Sequence, residues 1–101
     1  MKYVPLPVRR AQRTLGQQLK NQRKLMGLTA QMVAQRAGTS VITLRKIEQG
    51  QPVRSDILLT VIKVLGMLDR VVDATDPYQT DVGRLRANEQ LPQRVRVNYD
   101  Y

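Results

Sequence analysis

The chain has 101 residues and a mass of 11.5 kDa, which is enough for one small domain with a tail and excludes a large multidomain enzyme. Lys and Arg number 17 against 8 Asp and Glu, and the resulting net charge of +9 is typical of proteins that bind nucleic acids. The sequence lacks Cys and His, which excludes disulfides, zinc sites and Cys or Ser–His nucleophile systems. We therefore expect neither an enzyme nor a cofactor or metal site.

The N-terminal segment is basic, and its short apolar stretch is interrupted by Pro5 and Pro7. Such a stretch is too short for a signal-peptide core or a membrane span, so we expect a cytoplasmic protein that makes no membrane contact. Closely spaced prolines also resist helix formation. Residues 1–11 are therefore predicted to form an extended basic arm.

Hydrophobic spacing and capping residues predict the first two helices. Thr14 is a candidate N-cap for a helix over about 14–26, which ends at Gly27. Thr29 is a candidate N-cap for a second helix over about 30–37, and Gly38 supplies the left-handed residue after it.

Three more helices are predicted before a change in pattern near residue 76. Ser40 is placed to cap a third helix that ends at Gly50, and Ser55 or Asp56 a fourth that ends before Gly66. A fifth, shorter helix is predicted over about 67–74.

The C-terminal quarter gives weaker signals. Residues 78–93 are polar with scattered Leu, which fits a linker, a short helix near 80–88, or disorder. Residues 94–99, RVRVNY, alternate with a period of two and predict a β-strand. That strand could pair across a dimer or form a hairpin with residues 3–8.

Residues 28–50, LTAQMVAQRAGTSVITLRKIEQG, resemble the helix-turn-helix of the Xre/Cro family of phage-repressor-like DNA-binding proteins. The matching elements are Leu28-Thr29, Val33-Ala34, Ala37-Gly38, Ser40, Thr43-Leu44, Ile47-Glu48 and Gly50. The resemblance extends over roughly 14–75. It implies an all-α fold of five helices, to which the C-terminal strand would be added, with residues 12–76 as the DNA-binding domain and 77–101 as a tail for dimerisation or partner binding.

In this family the third helix enters the major groove, and the resemblance assigns residues accordingly. The base-reading residues would be Ser40, Val41, Ile42, Arg45 and Lys46. The phosphate-binding residues would be Thr29, Gln31, Thr43 and Arg54, with Lys20, Lys24 and Arg36 as weaker candidates. The family also implies a structural ion pair between Arg23 and Glu48.

Several of these residues have plainer explanations. Val41 and Ile42 are β-branched neighbours that could instead be buried in an interface with a partner. Glu48 could be a solvated charge, and Arg54 an ordinary exposed arginine. A metal site at Asp69, Asp73 and Asp76 is a poor alternative, since carboxylates on a short exposed helix are usually solvated.

Residues 53–71 are similar to a narrower group, the HipB-type antitoxins, which repress their own operon and bind a HipA-type kinase toxin. The similar pieces are Val53-Arg54, Leu58-Leu59, Val64-Leu65-Gly66 and Leu68-Asp69-Arg70. The resemblance implies a homodimeric repressor on a palindromic operator of double-stranded DNA, with a toxin kinase as a further partner. An antitoxin that acts mainly by protein binding is the alternative, and a nonspecific RNA-associated adaptor is the weakest hypothesis, because all four Tyr lie outside the first four helices.

Overall fold

A computed structural model describes the backbone of residues 3–94 and the side chains of residues 3–89. Within that part of the chain there are six α-helices, one 3₁₀ turn at Pro77–Gln79, and no strand. The helices are α1 (Leu6–Leu25), α2 (Ala30–Ala37), α3 (Val41–Glu48), α4 (Ser55–Val64), α5 (Leu68–Ala74) and α6 (Asp81–Arg94). The all-helical class is confirmed, whereas the count of five helices is wrong.

Helix α1 begins eight residues earlier than predicted, so the expected extended arm is helical from Leu6 onward. Pro5 is the N-cap and Pro7 lies in the first turn. The first backbone N–H groups of a helix have no intrahelical acceptor, so proline costs nothing there and its fixed φ favours the helix. Thr14, the predicted cap, therefore lies inside the helix.

Helices α2 and α3 have the ends that their capping residues predict. The Thr29 hydroxyl accepts a hydrogen bond from the Met32 N–H, and the Ser40 hydroxyl accepts one from the Thr43 N–H. Gly38 ends α2 with a φ of 69°, and the Thr39 N–H then donates to the Ala34 carbonyl. This left-handed turn, which a residue with a Cβ adopts only under strain, reverses the chain between the two helices.

The core of residues 1–68 is aliphatic and lies where α2 packs on α3 and α4, and α1 packs on α3. Its most buried side chains are Leu19, Val33, Leu44, Val61, Ile62 and Leu65. Helix α4 begins without a side-chain cap, because its N-cap residue is Arg54 rather than Ser55 or Asp56. The Gln22 amide donates to the Leu65 carbonyl and links α1 to the end of α4.

The chain divides into two compact units, residues 1–68 and 69–101. In the second unit the Asp76 carboxylate accepts from the Tyr78 N–H at the 3₁₀ turn, and the Thr80 hydroxyl accepts from the Gly83 N–H at the start of α6. These caps give the region after Pro77 a helix, the second of the three alternatives predicted for it.

The predicted strand over 94–99 has no support. Its first residue, Arg94, is the last residue of α6, and residues 95–99 lie outside the described part of the chain. None of the described helices is long and apolar enough to cross a membrane.

Candidate DNA-binding surface

Helix α3 has one buried side and one exposed side. Leu44 and Ile47 are at most 3% exposed and anchor the helix on the core. With about 3.6 residues per turn, Ile42, Arg45 and Lys46 must point to the opposite side, and all three are exposed. The sequence pattern of α3 therefore presents three of the five predicted base-reading residues on one outward surface, while Ser40 is the N-cap and Val41 is half-buried.

A buried ion pair fixes α3 against α1. The Arg23 Nε donates to the Glu48 Oε2 at 2.7 Å, and the two side chains are only 11% and 8% exposed. The same guanidinium donates from Nη1 to the Leu28 carbonyl at 2.9 Å, and from Nη2 to the Glu48 Oε1 at 3.3 Å. Arg23 thus joins α1, the loop before α2 and the end of α3, which is the pairing that the family resemblance implies.

The two β-branched residues at the start of α3 differ in their surroundings. Ile42 is 70% exposed, whereas Val41 is half-buried. An isoleucine this exposed next to two basic residues suits contact with a thymine methyl in the major groove. Among the described residues, neither Arg45 nor Lys46 has an acidic partner, so both charges face solvent.

The caps of α2 and α3 determine which hydroxyl groups are available to DNA. Ser40 accepts from the Thr43 N–H and donates to the Thr43 Oγ1, so the only proton of its hydroxyl is used within the cap. The hydroxyl protons of Thr43 and Thr29 remain available, because the Oγ1 of each only accepts in these caps. Ser40 is therefore a structural residue first, and the two threonines are the better phosphate donors.

The remaining phosphate candidates fall into two groups. Gln31, Lys24 and Arg36 are exposed, and Lys20 is half-buried. Arg54 is exposed but donates from Nη2 to the Asp56 Oδ2 at 2.7 Å. A phosphate would have to compete with Asp56 for this guanidinium, which the sequence did not predict.

Charge is concentrated in the unit that carries α3. Residues 1–68 hold 12 of the 17 basic residues and two of the 8 acidic residues. Both of those acids, Glu48 and Asp56, are already paired with arginines. Among the described residues of this unit, the other basic side chains form no ion pair, so their charge is free to attract a polyanion.

The acidic residues of the second unit form no metal site in the described part of the chain. Asp76, one of the three carboxylates considered for a metal, instead accepts from the Tyr78 N–H.

Two features outside the predicted set also lie near α3. Gln49, at its C-terminal end, follows Arg45 by four residues and so shares its outward side. Arg9 and Arg13, on the first turns of α1, line a groove with Gln49. The groove was missed because residues 1–11 were expected to be extended, although the spacing of Arg9 and Arg13 would put them on one side of a helix.

Helices α2 and α3 are joined by a tight turn at Gly38, and α3 is held in place by its cap and by the Arg23–Glu48 ion pair. Together with the basic outer side of α3, this arrangement defines a helix-turn-helix. A sequence model described as a helix-turn-helix domain matches residues 14–88, most of the chain. The chain belongs to this family and carries a helix-turn-helix DNA-binding domain. No curated protein and no solved structure matches the sequence.

Proposed function

We propose that the protein is a sequence-specific transcriptional repressor that binds a palindromic operator as a homodimer. The observation that carries this proposal is the outward side of α3, where Ile42, Arg45 and Lys46 are exposed on a helix whose other side is anchored. A rigid helix is what base readout needs, because a hydrogen bond to a base edge discriminates only when its donor is held in place.

In the proposed mechanism, some residues of this surface contact bases and others contact phosphates. Arg45 and Lys46 would donate to guanine or phosphate, and Ile42 would contact a thymine methyl. Thr29, Gln31 and Thr43 would donate to phosphates and fix the register of α3 in the groove. Two copies on half-sites about one helical turn apart would cover a promoter, so repression is by occlusion, in the cytoplasm and with no catalytic activity of the protein's own.

We further infer that the operon it controls is its own and that it neutralises a HipA-type kinase toxin. This step is supported by the similarity of residues 53–71 to HipB-type antitoxins. The alternative, in which toxin binding is the main activity and DNA binding is weak, is favoured by Val82 and Leu85 of α6, which are 62% and 61% exposed and one turn apart.

The proposal is tested by selecting binding sites from a random duplex library at two salt concentrations. We expect a two-fold-symmetric site that persists at the higher salt. Arg45→Ala should relax base preference at one position of each half-site, at a cost of about 1–3 kcal/mol for the preferred base. Lys24→Ala is the matched control and should weaken binding to all sequences equally.

Recovery that is independent of sequence and lost at higher salt would refute the repressor and favour the protein-binding alternative. A selected site without symmetry would retain sequence-specific binding but refute the homodimer.

A further inference from the structure

The first turns of α1 extend beyond the core of their unit. Residues 5–11 are all exposed, and the first buried residue of the helix is Gly16. A Cβ at Gly16 would collide with the Ile47 and Glu48 carbonyls, so α1 crosses the end of α3 at this point. From Gly16 to Leu6 the helix continues for roughly 15 Å, at about 1.5 Å per residue.

This extension and the loop after α3 enclose a groove of about 340 Å³. Arg9, Gln12 and Arg13 line one wall, and Gln49 and Gln51 line the other. The Gln51 amide donates to the Gln49 Oε1 at 3.2 Å. Val4 and Pro52 also line the groove, but its donors are guanidinium and amide groups on one wall and amide groups on the other, a set that suits an anionic ligand.

The position of the groove is fixed by close packing of backbone. Gly50 has a φ of 76°, and a Cβ on it would lie 2.7 Å from the Arg13 Cα. The loop and the helix therefore touch without an intervening side chain. The backbone of Arg13 is thus held in place by the fold, and its side chain starts from a fixed point of α1.

The two arginines have no counter-charge among the described residues. Arg9 and Arg13 are four residues apart, and like charges at that spacing on a helix repel each other. Among the described residues, neither forms an ion pair. An external anion would relieve this repulsion, which favours a ligand over a structural role for the pair.

We propose that Arg9 and Arg13 form a second phosphate-binding site, which holds the DNA backbone beside the groove that α3 enters. Gln49 connects the two surfaces, because it lines the groove and shares the outward side of α3 with Arg45. A backbone phosphate flanking the α3 site therefore fits better than a free anion. The inference rests on the proposed DNA binding. Arg9 and Arg13 precede the segment that matches the family, which begins at residue 14, so the family match does not assign them a role.

The test measures the salt dependence of DNA affinity for the full chain, on the selected duplex and on a scrambled duplex of equal length. Each phosphate contact contributes about 0.9 to the slope of log K against log salt. Arg9→Gln and Arg13→Gln should each lower the slope by about 0.9, and the double variant by about 1.8, on both duplexes. Base preference should not change.

Arg10→Gln is the matched control, since Arg10 is exposed on the same turn but does not line the groove. Its slope should stay close to that of the unchanged chain. The lysine variants Arg9→Lys and Arg13→Lys should retain most of the slope, which a purely steric role would not predict. All six variants should melt at the same temperature, because none of these side chains is buried.

An unchanged slope in the double variant, or an equal loss in Arg10→Gln, would overturn the second phosphate site. Neither result would affect the repressor proposal, which is tested by site selection. Conversely, if selection finds no preferred site, the slopes on the scrambled duplex still decide whether Arg9 and Arg13 contact phosphate.

Discussion

The two units of the chain differ in both charge and packing. Residues 1–68 carry 12 basic and two acidic residues, whereas residues 69–101 carry five basic and six acidic ones. Among the described side chains, the first unit contains all of the fully buried large residues, and Ala87 is the one buried hydrophobic residue of the second. The unit that can attract DNA is also the unit with an aliphatic core.

The comparison fits the proposed function, in which base readout falls to the first unit. Base readout needs a helix held rigidly, and the packed core and the Arg23–Glu48 ion pair hold α3 in this way. The helices of the second unit are defined more by local bonds, such as the Thr80 cap of α6 and the hydrogen bond from Arg84 to the Tyr78 carbonyl. A surface of this kind can adapt to a partner at little cost to the DNA-binding unit.

The largest expected difference between the units concerns their apolar side chains. Leu44→Ala removes a side chain that is 1% exposed and should lower the free energy of unfolding by about 2–5 kcal/mol. Leu85→Ala removes one that is 61% exposed and should change it by less than about 0.5 kcal/mol. Urea denaturation followed by circular dichroism, at one fixed protein concentration, measures both.

A comparable loss in Leu85→Ala would break the comparison. It would show that α6 buries this leucine in solution, as it would in a complex or a dimer.

A second difference concerns ion pairs. The Arg23 and Glu48 side chains are only 11% and 8% exposed. Glu48→Ala leaves the buried Arg23 charge without its acidic partner and should lower the free energy of unfolding by about 2–4 kcal/mol. Asp81→Ala breaks a pair with Arg84 whose side chains are 97% and 53% exposed, and should cost less than about 1 kcal/mol. Thermal and urea denaturation of both variants provide the measurement.

Glu48→Ala should also weaken DNA binding, since α3 loses its link to α1. If the two variants were equally stable, Arg23 and Glu48 would be solvated charges, and another contact would have to fix the orientation of α3.

The sequence predicted the helix-turn-helix well because its signals are local. Thr29, Gly38 and Ser40 each determine a helix end through their own backbone or hydroxyl chemistry, and the structure places all three as expected. Leu44 and Ile47 lie on the buried side that their spacing indicates.

The sequence-based predictions were wrong or incomplete where the same residues are compatible with two local structures. Pro5 and Pro7 can interrupt a helix or begin one, and in the structure they occupy the N-cap and the first turn of α1, where a missing N–H costs no hydrogen bond. Helix α6 was hard to predict because its few apolar residues form no continuous stripe. The partner of Arg54 was missed because a contact two residues away in an irregular loop leaves no periodic pattern.

The smallest expected effect concerns the two exposed ion pairs, Arg54–Asp56 and Arg84–Asp81, and what their removal does to DNA affinity. Asp56→Asn releases Arg54 and removes a negative charge from the unit that meets DNA. We expect affinity to rise about two- to tenfold at low salt, because the guanidinium no longer divides its hydrogen bonds between Asp56 and a phosphate. Asn can still accept the Ile57 N–H that Asp56 accepts now, so α4 should remain intact.

Asp81→Asn is the matched control, because it releases Arg84 and adds the same charge to the other unit. Its affinity should change by less than about twofold if only residues 1–68 meet the DNA. Equal gains in the two variants would mean that net charge alone acts and that Arg54 contacts no phosphate. A gain confined to Asp56→Asn would instead show that Asp56 weakens a phosphate contact of Arg54 in the unmodified chain. Discrimination between DNA sites would then depend more on α3.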